Sequence, residues 1–246
     1  MDIKQLEEYV LNSDLAEVLA QDELLDYMHN QVFEFRKLMA YYRCAMMEIE
    51  TKFHVINEDF SYQFERNPIQ NIKSRLKEPQ SIHDKLAKRG LLFSAEEIEK
   101  NLFDVAGVRV ICSFVDDVYK IADALTRQDD ITLVERKDYI ENPKENGYRS
   151  LHLIVAVPIF LTNEKKIMNV EIQLRTIAMD FWASLDHDLR YKKEHLLTEQ
   201  MVGDLKKCAD VSTALDEMMN DMCAQVYRAN PPQKNNIRQL AQRLGL

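Results

Sequence analysis

The sequence predicts an α/β protein in the α+β sense, with a mixed sheet of about five strands flanked by helices at both ends. Three observations lead there. The first quarter carries a single apolar stripe of helical period. The middle alternates short strand-like runs with helical segments. A polar turn, "TNEKK", joins two strand-like runs directly, which makes at least one strand pair antiparallel.

Residues 3–12 and 14–29 read as two short helices, and residues 31–64 as a long one. In the long one Leu38, Tyr42, Ala45, Ile49, Phe53, Ile56 and Phe60 recur at helical intervals, so this face should pack against the domain or a partner subunit. Pro68 ends the region. "NIKSRLK" is a short strand, and "PQSIHDKLAKRG" a helix with Ser81 near its start and Gly90 past its end. "SAEEIEKNL" opens with Ser94 and Glu97 at capping-box spacing. "AGVRVICSF" is a strand, "VDDVYKIADALTRQ" a helix and "ITLVERK" a strand. "YRSLHLIVAVPIFL" and "KIMNVEIQLRT" form the hairpin around Asn163. From Ile177 to about Ala229 the chain is helical, until Pro231 and Pro232 break it before a short basic tail. The expected division is a helical region over 1–66, a core over 67–195 and a helical region over 196–246, together one compact domain.

Net charge is −9, which disfavours DNA as a partner and gives no support for RNA binding. The charge is uneven. Residues 1–65 hold 14 acidic and 5 basic side chains, whereas residues 66–90 hold seven Lys/Arg against Glu78 and Asp84. A cationic segment inside an acidic chain fits a small phosphorylated ligand better than a long polyanion. Five glycines leave no Gly-rich phosphate loop, so side chains must hold any phosphate. The longest apolar run, "LIVAVPIFL", is too short to cross a bilayer, and no membrane partner is expected. The acidic "MDIKQLEEYV" is neither a secretory signal nor a transit peptide, so the cytoplasm is the expected place. Cys44, Cys112, Cys208 and Cys223 lack CxxC spacing and read as reduced thiols.

The chemistry concentrates in "ENPKENGYRSLH", where Lys144, Arg149 and His152 crowd around Gly147 and Tyr148. In strand geometry Tyr148, Ser150 and His152 share a face. In "VEIQLRT", Glu171, Gln173 and Arg175 lie opposite the core residues Val170, Ile172 and Leu174. If the two strands pair, these polar faces line one surface; an ordinary solvated sheet face has the same period. Asp104, just before "VAGVRVI", and Glu171 make a carboxylate pair suited to Mg²⁺. Arg75 and Lys77 alternate onto one face, Ser81 offers a hydroxyl near a helix start, and Lys85 lies one turn on. A guanidinium can stack on a purine, but a merely solvated basic strand has the same composition. No nucleophile elbow or zinc cluster stands out.

Five ordered pieces, "RLKEPQSIHDK", "LFDVAGVRVIC", "RKDYIENPKENGYRSLH", "VEIQLRT" and "MDFWASLDHDLRYK", resemble the synthetase domain of the RelA/SpoT family. They cover roughly residues 67–193. The chain resembles a small alarmone synthetase with a single nucleotidyltransferase-like synthetase domain, and "KENGYRSLH" with the long helical start resembles the RelP branch. The long members carry a hydrolase domain and regulatory domains, for which this chain has no room.

The resemblance implies transfer of the β,γ-pyrophosphoryl group of ATP to the ribose 3′-OH of GDP or GTP, giving ppGpp or pppGpp plus AMP in the stringent response. It implies that Arg75 and Arg109 sandwich adenine and that Lys77, Ser81, Lys85 and Lys137 hold ATP phosphates. Asp104 and Glu171 would bind Mg²⁺, and Glu171 would also be placed to take the 3′-OH proton. Tyr148 would stack on guanine, Lys144, Asn146 and His152 would hold the acceptor's phosphates and ribose, and Gln173 and Arg175 would complete the floor. Asp186 stands where relatives often have glutamate. A homotetramer is implied as well. Two other readings are a non-catalytic nucleotide sensor or RNA-binding regulator on the same fold, and an AMP-transferring nucleotidyltransferase. The first is favoured by loss of Asp104 or Glu171, both of which are present. The second needs a DxD after a small-residue loop, which "VDD" at Val115–Asp117 does not provide.

Overall fold

A computed structural model describes residues 3–190 and 196–229, with side chains from residue 29 onward. Among these residues the chain forms α1 (Ile3–Phe64), β1 (Ile69–Leu76), α2 (Pro79–Lys88), α3 (Ala95–Asn101) and β2 (Ala106–Cys112). It continues with α4 (Val115–Thr126), β3 (Thr132–Asp138), β4 (Leu151–Phe160), β5 (Lys165–Thr176), α5 (Ile177–Arg190) and α6 (Glu199–Ala229). The expected breaks near residues 13 and 30 do not occur, and α1 is continuous. The reason is local. Residues 1–64 contain no Gly and no Pro, and Asn12, Ser13 and Asn30 are weak helix formers that each cost only about 0.7 kcal/mol against Ala.

Contacts divide the chain into two units, residues 1–41 with 78–102 and residues 42–77 with 103–246. In the first unit, α2 starts with Pro79, whose fixed φ suits a first turn, and buries Ile82 and Leu86. Gly90 ends it at φ +69°, a conformation costly for other residues. Ser94 caps α3 by accepting the Glu97 amide at 3.2 Å, half of the capping box its spacing predicts.

The second unit holds the sheet, in the order β1-β2-β5-β4-β3. Among the described residues only β2 and β5 pair parallel; the other three ladders are antiparallel, which gives the mixed sheet. β4 and β5 form the hairpin closed by the Leu161 amide on the Glu164 carbonyl at 2.8 Å. One face is core: Val108, Val110, Leu151, Leu153, Ile172 and Leu174 are buried. In this unit the α1 stripe from Tyr42 through Ile56 is buried within this one chain, so no partner subunit is needed to cover it. α5 and α6 pack together, with the Trp182 indole donating to the Leu205 carbonyl at 2.9 Å and Ser212 Oγ to the Ala178 carbonyl at 3.0 Å. All four cysteines are free thiols. Pro231, Pro232 and the basic tail lie outside the described residues.

Candidate active site

Residues opposite one another across a ladder point to the same face. The register therefore aligns Lys73, Arg109, Gln173, His152 and Lys137 in one row, and Arg75, Gly107 and Glu171 in the next. Gly107 carries no side chain and leaves a gap between Arg75 and Glu171. A cavity of about 810 Å³ opens over this face. Its lining includes eight residues named from the sequence: Arg75, Lys77, Asp104, Arg109, Tyr148, Glu171, Gln173 and Arg175.

Arg175 is the centre of the frame and is buried. Its Nη2 donates to Tyr148 Oη at 2.7 Å and to Gln173 Oε1 at 3.0 Å, its Nη1 to Asp180 Oδ1 at 3.2 Å, and its Nε to Ser150 Oγ at 3.4 Å. β4 begins at Leu151, so Tyr148 and Ser150 precede the strand instead of belonging to it. Ser150 turns inward, and its hydroxyl donates to the Leu174 carbonyl at 3.2 Å. Tyr148 still meets His152, with Oη 2.7 Å from Nε2. His152 Nδ1 lies 3.6 Å from Glu171 Oε1, so the imidazole stands between the Tyr148 hydroxyl and the Glu171 carboxylate.

Burial pushes the Glu171 carboxyl up. The hydrogen bond and charge of His152 push it down, Asp104 pushes it up, and Gln173 pushes it down; the balance leaves it below the usual carboxylate range. Gln173 Nε2 donates to Glu171 at 3.0 Å, and Lys77 Nζ to Asp104 Oδ2 at 2.6 Å. Two carboxylates on one wall, close enough to influence each other's ionisation, fit a hard divalent cation that completes its shell with water and phosphate oxygens. Burial, then the charge of Arg175, lower the Arg109 pKa against the pull of Asp180. That guanidinium donates to Asp180 at 3.2 Å.

The other sequence-named residues stand as follows. Lys144 Nζ sits over the Tyr139 and Tyr148 rings, 4.6 and 4.9 Å from their centroids. Asn146 Oδ1 accepts the Tyr148 amide at 3.1 Å, which shapes the turn that carries the ring. Lys137 lies opposite His152 in the ladder, with its Nζ on Glu135 at 2.9 Å. Ser81 and Lys85 lie on α2 in the first unit. Sequence reasoning missed Asp180, which joins Arg109 to Arg175, and missed Lys73, Ser74 and the α5 wall of Ser184, His187, Asp188 and Arg190; Asp186, noted there only as a difference from relatives, stands on the same wall. "MDFWASLDHDLRYK" held the signal for that wall, in polar residues at helical spacing along a strand-to-helix junction.

A family model described as a region found in RelA / SpoT proteins matches residues 74–196. The GTP pyrophosphokinase YwaC of Bacillus subtilis (strain 168) is 40% identical over 79% of this chain and 93% of its own length. The chain belongs to the RelA/SpoT family. Two solved structures extend the RelA/SpoT likeness to three dimensions. Small alarmone synthetase 1 from Bacillus subtilis bound to its product pppGpp has a TM-score of 0.68 at 36% identity, covering 75% of this chain and 94% of that one. The same synthetase bound to AMPCPP has a TM-score of 0.67 at 31% identity, covering 79% of this chain and 98% of that one.

Proposed function

We propose that this chain is a small alarmone synthetase, a GTP pyrophosphokinase that moves the β,γ-pyrophosphoryl group of ATP to the 3′-OH of GDP or GTP. The products are ppGpp or pppGpp and AMP, the output of the stringent response. The observation that carries the proposal is a carboxylate pair, Asp104 and Glu171, on the wall of a cavity whose other charged lining includes Arg75, Lys77, Arg109 and Arg175. Cations there neutralise phosphates, and the two carboxylates are needed to hold a metal among them.

Arg75 and Arg109 take the adenine, and Lys77, Ser81, Lys85 and Lys137 the ATP phosphates. Tyr148 stacks on guanine, Lys144, Asn146 and His152 hold the acceptor's phosphates and ribose, and Gln173 and Arg175 form the floor. Asp104 and Glu171 would hold Mg²⁺, which supplies charge neutralisation to the transferring phosphates. Glu171, ionised, accepts the 3′-OH proton as that oxygen attacks the β-phosphorus, and the bond to AMP breaks. His152 keeps Glu171 ionised and ties it to the guanine ring through Tyr148. Incubation with γ-labelled ATP, Mg²⁺ and GDP or GTP should place the label on the guanine nucleotide with one AMP per transfer. Release of free pyrophosphate with AMP joined to the acceptor would overturn the reading.

A homotetramer belongs to the same reading. Ile177, Phe181, Leu185 and Leu189 are exposed along one side of α5, and Val211, Leu215, Met218, Met222 and Val226 along α6, which supports further copies covering them. Light scattering that finds only monomer at micromolar concentration would contradict it. No helix among the described residues is long and apolar enough to cross a membrane. The cytoplasm, where ATP and GTP are held, is the proposed place.

A further inference from the structure

The cavity's described lining takes nothing from α6, yet α6 meets the Tyr148 loop: Tyr148 packs against the cluster of Trp182, Ala183 and Ala209, and its two neighbours meet α6 as well. Gly147, at φ +90°, comes so close that a Cβ there would lie 2.4 Å from Ala209 Cβ. Arg149, whose side chain is 10% exposed, brings Nη1 to 3.6 Å from Asp216 Oδ2. Asp216 also accepts the Thr176 hydroxyl at 2.6 Å, and that hydroxyl accepts the Met179 amide at 3.1 Å at the start of α5. The chain positions matter. Arg149 follows Tyr148, and Thr176 follows Arg175, while Arg175 and Tyr148 grip each other at 2.7 Å on the cavity side. One carboxylate thus holds the two residues next to that grip, from behind.

We propose that Asp216, acting through Arg149 and Thr176, is the positioning residue of the acceptor site: it fixes the Tyr148 ring in guanine-binding geometry without touching substrate. The proposal rests on the reading of Tyr148 as the guanine-stacking residue. Energetics favour a positioning use over a stabilising one. Arg149 Nε and Nη1 are buried with no hydrogen-bond partner among the described residues. Burial first, and least the charge of Glu217, push the Asp216 carboxyl up, against the Thr176 hydrogen bond and the Arg149 charge. A buried pair that must offset its own desolvation adds little stability. What it supplies is a fixed angle between α6, the loop and the end of β5.

The test is Asp216→Asn, which keeps an acceptor for the Thr176 hydroxyl and removes the charge facing Arg149. The Michaelis constant for GDP or GTP should rise about tenfold while that for ATP stays within about twofold, the signature of a displaced acceptor grip. Asp216→Glu should restore most of the loss. If Asp216→Asn does not fold, the double variant Arg149→Met/Asp216→Asn removes both charges, and it should fold and show the same split. Equal loss at both substrates with a lowered melting temperature would mean a structural role only, and an unchanged acceptor constant in a folded variant would equally overturn the proposal. Tyr148→Ala runs in parallel. If it raises the acceptor constant and Asp216→Asn does not, the positioning proposal fails alone; if it raises the ATP constant instead, the acceptor reading itself fails.

Discussion

At the end of the cavity assigned to the acceptor, Tyr148, His152, Gln173 and Arg175 are bonded to one another at 2.7 to 3.0 Å. At the end assigned to the donor, Arg75 is exposed and Arg109 has a single 3.2 Å bond to Asp180 among the described residues, with its Nε buried and unmatched. The acceptor grip is preorganised and loses little freedom when a ring stacks on it. The donor end is less tied: burial first, then the charge of Arg175 and least that of Arg75, lower the Arg109 pKa, and such a desolvated cation gains when an anion arrives. A guanine nucleotide should therefore find its site ready, whereas ATP completes its own.

The largest effect falls where the two ends meet. Glu171→Gln keeps shape and removes the charge that would hold metal and accept the proton, so turnover should fall at least about a hundredfold with an unchanged melting temperature. Near-wild-type turnover in the folded variant would remove Glu171 from the mechanism.

Next is the frame behind the acceptor end. Gly147→Ala forces a Cβ to within 2.4 Å of Ala209 at a φ of +90°. Either the loop or α6 must move, and the acceptor Michaelis constant should rise about tenfold with ATP little affected. Equal effects on both substrates would erase the distinction between a rigid and an adaptable end.

This contrast was only partly legible in the sequence. Period-2 alternation placed Glu171, Gln173 and Arg175 on one face and Val170, Ile172 and Leu174 on the other, and Ser94 announced its helix, because both signals act over a few residues. Asp180 was invisible, because its bonds to Arg109 and Arg175 depend on how α5 leaves β5. The α6 brace was invisible for the same reason, since Arg149 and Asp216 meet only through tertiary packing. The single α1 was misread at residues 13 and 30, where polar residues imitate caps without the Gly or Pro that would end a helix.

A smaller effect concerns pH. His152 helps hold the Glu171 carboxyl below its ordinary range, against burial and Asp104. A folded carboxyl pKa below the unfolded one adds stability above the unfolded value, and this is lost as pH falls through the folded value. Activity that needs ionised Glu171 follows the same limb. His152→Gln leaves burial and Asp104 in place, so the acidic limb of turnover against pH should move to higher pH. An unmoved limb would separate His152 from Glu171.

The most direct test crosses the two ends in binding alone. Each nucleotide is titrated calorimetrically, ATP as a non-hydrolysable analogue, against Tyr148→Ala and Arg109→Ala. Loss of a stacked ring is worth roughly 1–3 kcal/mol, so Tyr148→Ala should weaken guanine nucleotide binding about tenfold or more and leave the ATP analogue nearly unchanged. Tyr148→Phe keeps the ring face but loses the Oη bonds to Arg175 and His152, so it should weaken guanine binding less than Tyr148→Ala, and Arg109→Ala should show the reverse pattern. If Tyr148→Ala left guanine binding intact while ATP binding collapsed, the two ends would be assigned the wrong way round.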